Sequence, residues 1–403
     1  MKGEWSRFAL RFSEYYGSID ADSIWTPPRF KSREWMFIPW GSSPPDRHRS
    51  FMDRYELHSY LRERSPHSCF HSTAYYADPS NRKMSDKGWK GADLIFDLDG
   101  DHLPGVTDSD FPTMIESIQG QAWRLWSEFL QPEFGFREEH VQTTFSGHRG
   151  FHIHVRDPNL LHLDSNARRE IVNYIRGEGI DIQSALSGGD SGWRTRALSG
   201  MDTILQKLRV ITERGSESKP TLNELHEILK TRAKSPRVQL RSTGKNRIEE
   251  LAEMSCSTDR IDRLRNDHKL MVFGEVCTPI FWELVKGDSS VVMGSAGETD
   301  EAVTVDTKRV IRWVDSLHGK SGLRVTEFPL ERLDPEGPKR FEPLSEAVVF
   351  SKQTKMHVRL SVDEVVAEIA DERVEGNSGD EYEVSEAMAT FLALKGWAAL
   401  IQR

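Results

Sequence analysis

The chain has 403 residues, 37% hydrophobic and 29% charged, and its 54 Lys+Arg against 63 Asp+Glu leave a net charge of −9. That length suggests two or three domains with enough apolar surface for a core, and the composition excludes a disordered or fibrous chain. No run approaches the ~18 apolar residues of a membrane span, the first residues lack an apolar signal-peptide core, and three scattered cysteines (Cys69, Cys256, Cys277) exclude a disulfide framework or a CxxC metal knuckle, so a cytoplasmic chain with no membrane attachment is expected.

In chain order, an aromatic, loop-rich N-terminal stretch carries turn signals at Pro27-Pro28 and Ser42-Ser43-Pro44-Pro45. Ala92-Asp93-Leu94-Ile95-Phe96 is a short apolar run that ends in Asp97-Leu98-Asp99-Gly100, the pattern of a buried strand running into a turn. Pro112 and Pro132 bracket a predicted helix whose Met114, Ile115, Ile118, Leu125, Trp126 and Phe129 recur at three- and four-residue steps. A second strand, Phe151-Ile153-Val155, alternates with His152 and His154 after a glycine-containing turn. From about 165 to 275 the pattern is helical. Ser165 fits the cap of a helix that stops at Gly177, and Thr221-Leu222-Asn223-Glu224 fits a capping box. Strand-like runs resume at Val303-Thr304-Val305, Leu323-Arg324-Val325 and Ala347-Val348-Val349-Phe350. Residues 361–386 hold ten acids and one base, a net −9 equal to that of the whole chain, and read as an acidic surface segment or linker. Residues 387–403 read as an apolar C-terminal helix started by Ser385.

Asp97 and Asp99 stand two apart on the predicted strand, so both leave the same face. Carboxylates that close repel unless a cation lies between them, and hard oxygen ligands suit Mg²⁺ or Mn²⁺. A solvated strand-end turn is the plainer reading of the same residues. The string also resembles the first motif of haloacid-dehalogenase-like phosphatases, in which Asp97 would be the nucleophile and Asp99 a general acid/base. Asp101 stands where that family has Thr or Ser. Ser146-Gly147-His148-Arg149-Gly150-Phe151-His152 offers backbone amides, a planar guanidinium and an imidazole to an anion, or is simply a glycine-rich hairpin turn. Asp306-Thr307-Lys308-Arg309 through Arg312 to Ser316-Leu317-His318-Gly319-Lys320-Ser321-Gly322 gathers bases and a histidine around small residues, as a polyphosphate-binding loop does, without P-loop spacing. His67-Ser68-Cys69-Phe70-His71 has no evident fourth ligand and reads as a buried cysteine between ordinary histidines.

Taken in order, these segments resemble the small catalytic subunit of the archaeal–eukaryotic DNA primase, in its archaeal form. Lys87-Gly88-Trp89-Lys90-Gly91-Ala92-Asp93 through Asp99 is similar to that family's metal motif, Ser146 to His152 to its nucleotide motif, and Asp300-Glu301-Ala302-Val303-Thr304 through Gly322 to its third motif. Arg33-Glu34-Trp35 and Asp46-Arg47-His48-Arg49-Ser50-Phe51 also look like family segments, so the resemblance spans about residues 15–325. The motif order implies an α+β fold. An α/β primase-polymerase core with a mixed sheet would be built from 1–164 and 276–360, with an inserted, mostly helical subdomain at 165–275.

The resemblance further implies that Asp97, Asp99 and Asp300 are catalytic and hold two Mg²⁺ or Mn²⁺ ions. Asp300 is preferred to Asp306 because it precedes Val303-Thr304 by three residues and His318 by eighteen. Ser146, Arg149, His152, Arg312 and His318 would bind the nucleotide, with Lys320 a further candidate and His148 replacing the first of two arginines. The implied activity is template-dependent nucleotidyl transfer, making short primers on single-stranded DNA from nucleoside triphosphates. The implied partner is a large primase subunit in a heterodimer. Many relatives carry a zinc knuckle after the Asp pair. Here that stretch is His102-Leu103-Pro104-Gly105-Val106-Thr107-Asp108, without cysteine, so no structural zinc is expected.

Overall fold

The computed structural model describes residues 2–41, 43–100, 109–177, 186, 192–234, 238–266, 269–287 and 301–401. Asp300 and residues 102–108 lie outside the described residues. The chain divides into two compact units, Met1–Glu170 with Gly297–Arg403, and Ile171–Ala296.

In the first unit, β1 (Trp35–Ile38) pairs with both β2 (Asp46–Arg49) and β3 (Ser68–Ser72), and β4 (Ala74–Tyr76) pairs with β5 (Trp89–Ala92). A second sheet is built from β6 (Leu94–Asp99), β7 (Val141–Phe145) and β8 (Gly150–Val155), with β8 in the middle. The chain that returns after residue 297 completes both sheets. β9 (Val310–Arg312) adds beside β3, and β10 (Thr326–Phe328) beside β7. The aromatic and β-branched residues of β8 are buried along its whole length, as a central strand requires. Leu94, Phe96 and Leu98 bury one face of β6; on the other, Ile95 packs with Val303 and Ile311.

The α+β class read from the sequence is observed. The pairs between named strands are antiparallel among the described residues, which corrects the expected mixed sheet. The reason for the central pair is local: β7 and β8 are joined by Ser146–Arg149, far too short for the crossover that parallel strands need.

Asp110 caps the helix Phe111–Arg124 by accepting from Thr113 N at 3.2 Å, and a π-turn, Leu125–Leu130, continues it toward Pro132. This helix covers β6 and β8 with Phe111, Met114, Ile115 and Ile118. None of the three later strands forms as expected: Val303–Val305 lies in the helix Glu301–Val305, Leu323–Val325 holds only an isolated bridge at Arg324 just before β10, and Ala347–Phe350 follows the short helix Pro343–Glu346 in irregular chain. Apolar runs of three or four residues do not distinguish a strand from a buried turn of helix.

Residues 361–386 are folded rather than a linker. β11 (Lys355–Leu360) precedes them, and β12 (Val365–Ile369), β13 (Glu372–Gly376) and β14 (Glu381–Ser385) occupy most of their length. Buried Val365, Ala367 and Ile369 alternate with partly exposed Val366 and Glu368, the period-2 pattern of a half-buried strand, and Val374 and Val384 are likewise preceded by the exposed Arg373 and Glu383. Ser385 does cap the next helix, its hydroxyl accepting from Met388 N at 3.2 Å. That helix is Glu386–Lys395 and does not reach the terminus. Gly396 takes a left-handed conformation (φ 76°) that closes it, and β15 (Ala398–Ile401) pairs antiparallel with β11.

The second unit is helical, with Gly192–Thr212, Ser218–Ala233, Lys245–Ser255, Thr258–Arg265 and Gly274–Gly287 around Ile204, Leu208, Leu225, Leu229, Ile248 and Leu251. The helix at Ser218 starts three residues before the expected capping box and places Pro220 in its first turn, where proline is tolerated. Helix Gly274–Gly287, expected in the returning core, belongs here. Its Ile280, Phe281 and Leu284 are buried, and its Glu283 meets Arg232 at 3.1 Å.

Candidate active site

The site is built on the β6–β8 pair. Register places Asp97 opposite His152 and Asp99 opposite Gly150. His152 Nε2 lies 3.3 Å from Asp97 Oδ1, and Arg149 Nε lies 3.4 Å from Asp99 Oδ1. The aspartates differ from their strand neighbours in being accessible: 20% for the Asp97 side chain and 44% for Asp99, against full burial of Phe96 and Leu98. Gly150 is required by the close approach of the strands, because a Cβ there would lie 2.5 Å from the Leu98 carbonyl oxygen. Behind His152, its Nδ1 meets Thr144 Oγ1 at 3.3 Å, and the same hydroxyl is 3.4 Å from His154 Nε2.

The hairpin turn faces the loop that follows β9. Gly147 (φ 80°) has no room for a side chain, since a Cβ would stand 2.9 Å from that of His318. Ser321 Oγ donates to the Gly147 carbonyl, tying the two segments together. His148 lies flat on His318, with ring centroids 4.7 Å apart and planes inclined by 13°. Ser146 holds the turn itself: its hydroxyl accepts from Gly150 N at 3.1 Å and His148 N at 3.4 Å. Lys320 donates its backbone N–H to His318 Nδ1 at 3.1 Å, and Asp306 accepts from Lys308 N in a local turn.

Arg312 completes the cluster, its guanidinium 4.8 Å above the Phe70 ring. Burial lowers its pKa to about 10, opposed by Cys69 and by the carboxylates of Asp97 and Asp99, and it remains a cation at neutral pH. Burial, reinforced by Lys395, Arg149 and Arg312, pushes His148 down to about 2. Burial and Arg312 hold His318 well below its ordinary value. Both imidazoles are therefore neutral donors and acceptors.

Four residues in this region were not singled out from the sequence. Asp93, fully buried at the head of β6, receives Arg33 at 2.9 Å and Arg156 at 3.1 Å, and Tyr75 donates to it. Arg168 donates to the carbonyls of Asp93 at 2.8 Å and Ala92 at 2.9 Å. An acid directly before an apolar run was the available signal for Asp93 and, through it, for Arg156 and Arg168. Lys395 reaches His148 from 247 positions away, and no local pattern announces it.

Asp97 and Asp99 fit a hard divalent cation: they present carboxylate oxygens from one accessible face of a strand, with no thiolate beside them. Among the described residues no group of three or more His, Cys, Asp or Glu side chains converges as a metal site, and the described part of the site supplies two carboxylates. No helix among these residues is long and apolar enough to cross a membrane.

The family described as DNA primase small subunit matches residues 96–330. The chain is 36% identical to the DNA primase small subunit PriS of Methanothrix thermoacetophila, an alignment covering 96% of each chain. It is 33% identical to PriS of Methanosarcina barkeri over 96% of this chain and 94% of that one. It is also 33% identical to PriS of Haloarcula marismortui over 84% and 83%.

Proposed function

Because this chain belongs to the DNA primase small-subunit family, we propose that it is the catalytic subunit of a DNA primase. It is a DNA-directed nucleotidyltransferase that joins nucleoside triphosphates into short primers on single-stranded DNA, working in the cytoplasm with a large partner subunit. The observation that carries this reading is the meeting of Asp97 and Asp99 with Arg149, His152 and Arg312 on one side of the β6–β8 pair.

In this reading Asp97 and Asp99 would hold Mg²⁺ or Mn²⁺, with Asp300 assigned as third ligand by the family resemblance. Such ions supply Lewis acidity and charge neutralisation at phosphoryl oxygens. The chain's own residues orient the triphosphate. Arg149 and Arg312 present planar forks that match phosphate oxygens, and both stand where they also balance the aspartates. His318 accepts at Nδ1 from Lys320, so its neutral ring carries the proton on Nε2 and has one hydrogen bond to give. Donors fixed before the reaction offset charge that grows on the leaving pyrophosphate. The phosphatase reading of Asp97 is set aside, because the matched family is a primase and the relatives span nearly the whole chain.

Primer synthesis on single-stranded DNA, with nucleotides and one divalent ion, tests the proposal. Asp97→Ala, Asp99→Ala and Asp300→Ala should each abolish nucleotide addition with the melting temperature unchanged, and Asp306→Ala should be far milder. Full synthesis by Asp97→Ala would overturn the assignment. Activity lost in Asp306→Ala and kept in Asp300→Ala would reverse the choice of third ligand.

A further inference from the structure

Lys395 ends the helix Glu386–Lys395, far from every recognised motif, yet its ammonium lies 3.3 Å from His148 Nε2. The same ammonium sits over the rings of Trp397 at 4.5 Å and Phe111 at 5.0 Å. An ammonium has three donors and no lone pair, so His148 Nε2 must accept, and the neutral ring carries its proton on Nδ1. His318, stacked on that ring, has the opposite arrangement, because its Nδ1 accepts from Lys320 N. The two imidazoles are thus locked in opposite tautomers, one from each side of the stack.

We infer that Lys395 is a positioning residue of the nucleotide site: by donating to His148 Nε2 it fixes that ring, and through the stack it holds His318 with Nε2–H free to meet a phosphate. The inference rests on reading this cluster as the triphosphate site. An apolar side chain would fill the Phe111–Trp397 cage as well as the lysine stem does, so the donor is what the ammonium adds. Nucleotide affinity is thereby tied to the C-terminal helix.

Lys395→Met keeps the cage filled and removes the donor, and Lys395→Arg keeps a donor. Long-range ¹H–¹⁵N spectra of the histidine-labelled full chain, with His148 assigned through His148→Gln, report the tautomer. Titration with MgATP reports affinity. The expected result is loss of the Nδ1–H signature of His148 in Lys395→Met, with MgATP binding weakened roughly three- to tenfold. Lys395→Arg should restore both. An unchanged tautomer in Lys395→Met overturns the inference, and so does equal weakening in Met and Arg variants, which marks a packing role. Arg312→Ala separates the two levels. If it leaves MgATP affinity unchanged, the triphosphate reading fails, and the tautomer spectra still decide whether Lys395 positions His148.

Discussion

Asp93, Asp97 and Asp99 lie within seven residues of one another, and their surroundings give them different work. Burial alone would raise the pKa of Asp93, but Arg33 and Arg156 outweigh it and hold its carboxyl below the ordinary value. Removing that charge leaves two arginines unpaired at the head of β6. Asp93→Asn is therefore expected to destabilise the chain by about 3–5 kcal/mol, read from urea denaturation, with a folding defect preceding any catalytic one. Asp97 and Asp99 are partly accessible, so their removal should leave stability nearly intact. Beside them, Arg149→Ala and Arg312→Ala should weaken nucleotide binding about ten- to a hundredfold, the loss of a charged hydrogen bond worth ~1.5–3 kcal/mol. Template binding measured on the same variants should change less. Unaltered nucleotide affinity in both would remove the arginines from the site.

The C-terminal helix shows what one element contributes. Met388, Phe391 and Leu392 are fully buried, Phe391 and Trp397 pack on Phe111, and a Cβ at Gly322 would press on Phe350 and Thr390. The helix backs the loop that carries His318, which is why its residues turn inward. Deletion of 387–403 removes these side chains, each worth about 1.5–3 kcal/mol when buried, together with the strand beside β11. A large fall in melting temperature is expected in the isolated chain. A milder test is Ser385→Ala, which removes the cap and should cost ~1 kcal/mol. If the deletion leaves melting unchanged and only binding of the large subunit is lost, the helix is a docking element instead.

Across the whole molecule, buried histidines set the response to acid. Burial is the first cause holding His71 at about 3 and His148 at about 2, and it holds His154 and His318 well below their ordinary 6.5. The folded chain keeps these rings neutral, and the unfolded chain protonates them as pH falls through 6.5. Their contribution is thus complete above that value and is lost on acidification. Each histidine is expected to remove about 1.4 kcal/mol per pH unit below it. Denaturation midpoints compared at pH 7.5 and 5.5 check this, and equal stability at both would show that the rings are not held neutral. Of the ten acids of 361–386, Glu368, Glu372, Glu375, Glu381 and Glu383 lie on the strands and four more lie in the turns between them, while Glu386 is buried and pairs with Arg11 at 2.7 Å.

The chemistry-bearing strands were legible in local patterns of residues. A buried apolar run ending in two acids, and a glycine turn ahead of alternating histidines, are local patterns with local causes, and both strands form where those patterns lie. The return of the chain to the core after the helical unit was read from the order of motifs in the resembling family, not from a local pattern. The β7–β8 hairpin was legible in its glycine turn, but the addition of β9 to β3 and of β10 to β7 was not, since those pairs join segments some two hundred positions apart and each strand's period is the same either way. The acidic strands were masked for a related reason: their alternation was present at Val365, Ala367 and Ile369, but the density of charge hid a face that becomes buried only when other elements cover it. Lys395 belongs wholly to the tertiary structure, and so does the choice of Arg33 and Arg156 as partners of Asp93. A buried charge is tolerable only when partners from distant segments surround it, and which segments those are is decided by packing.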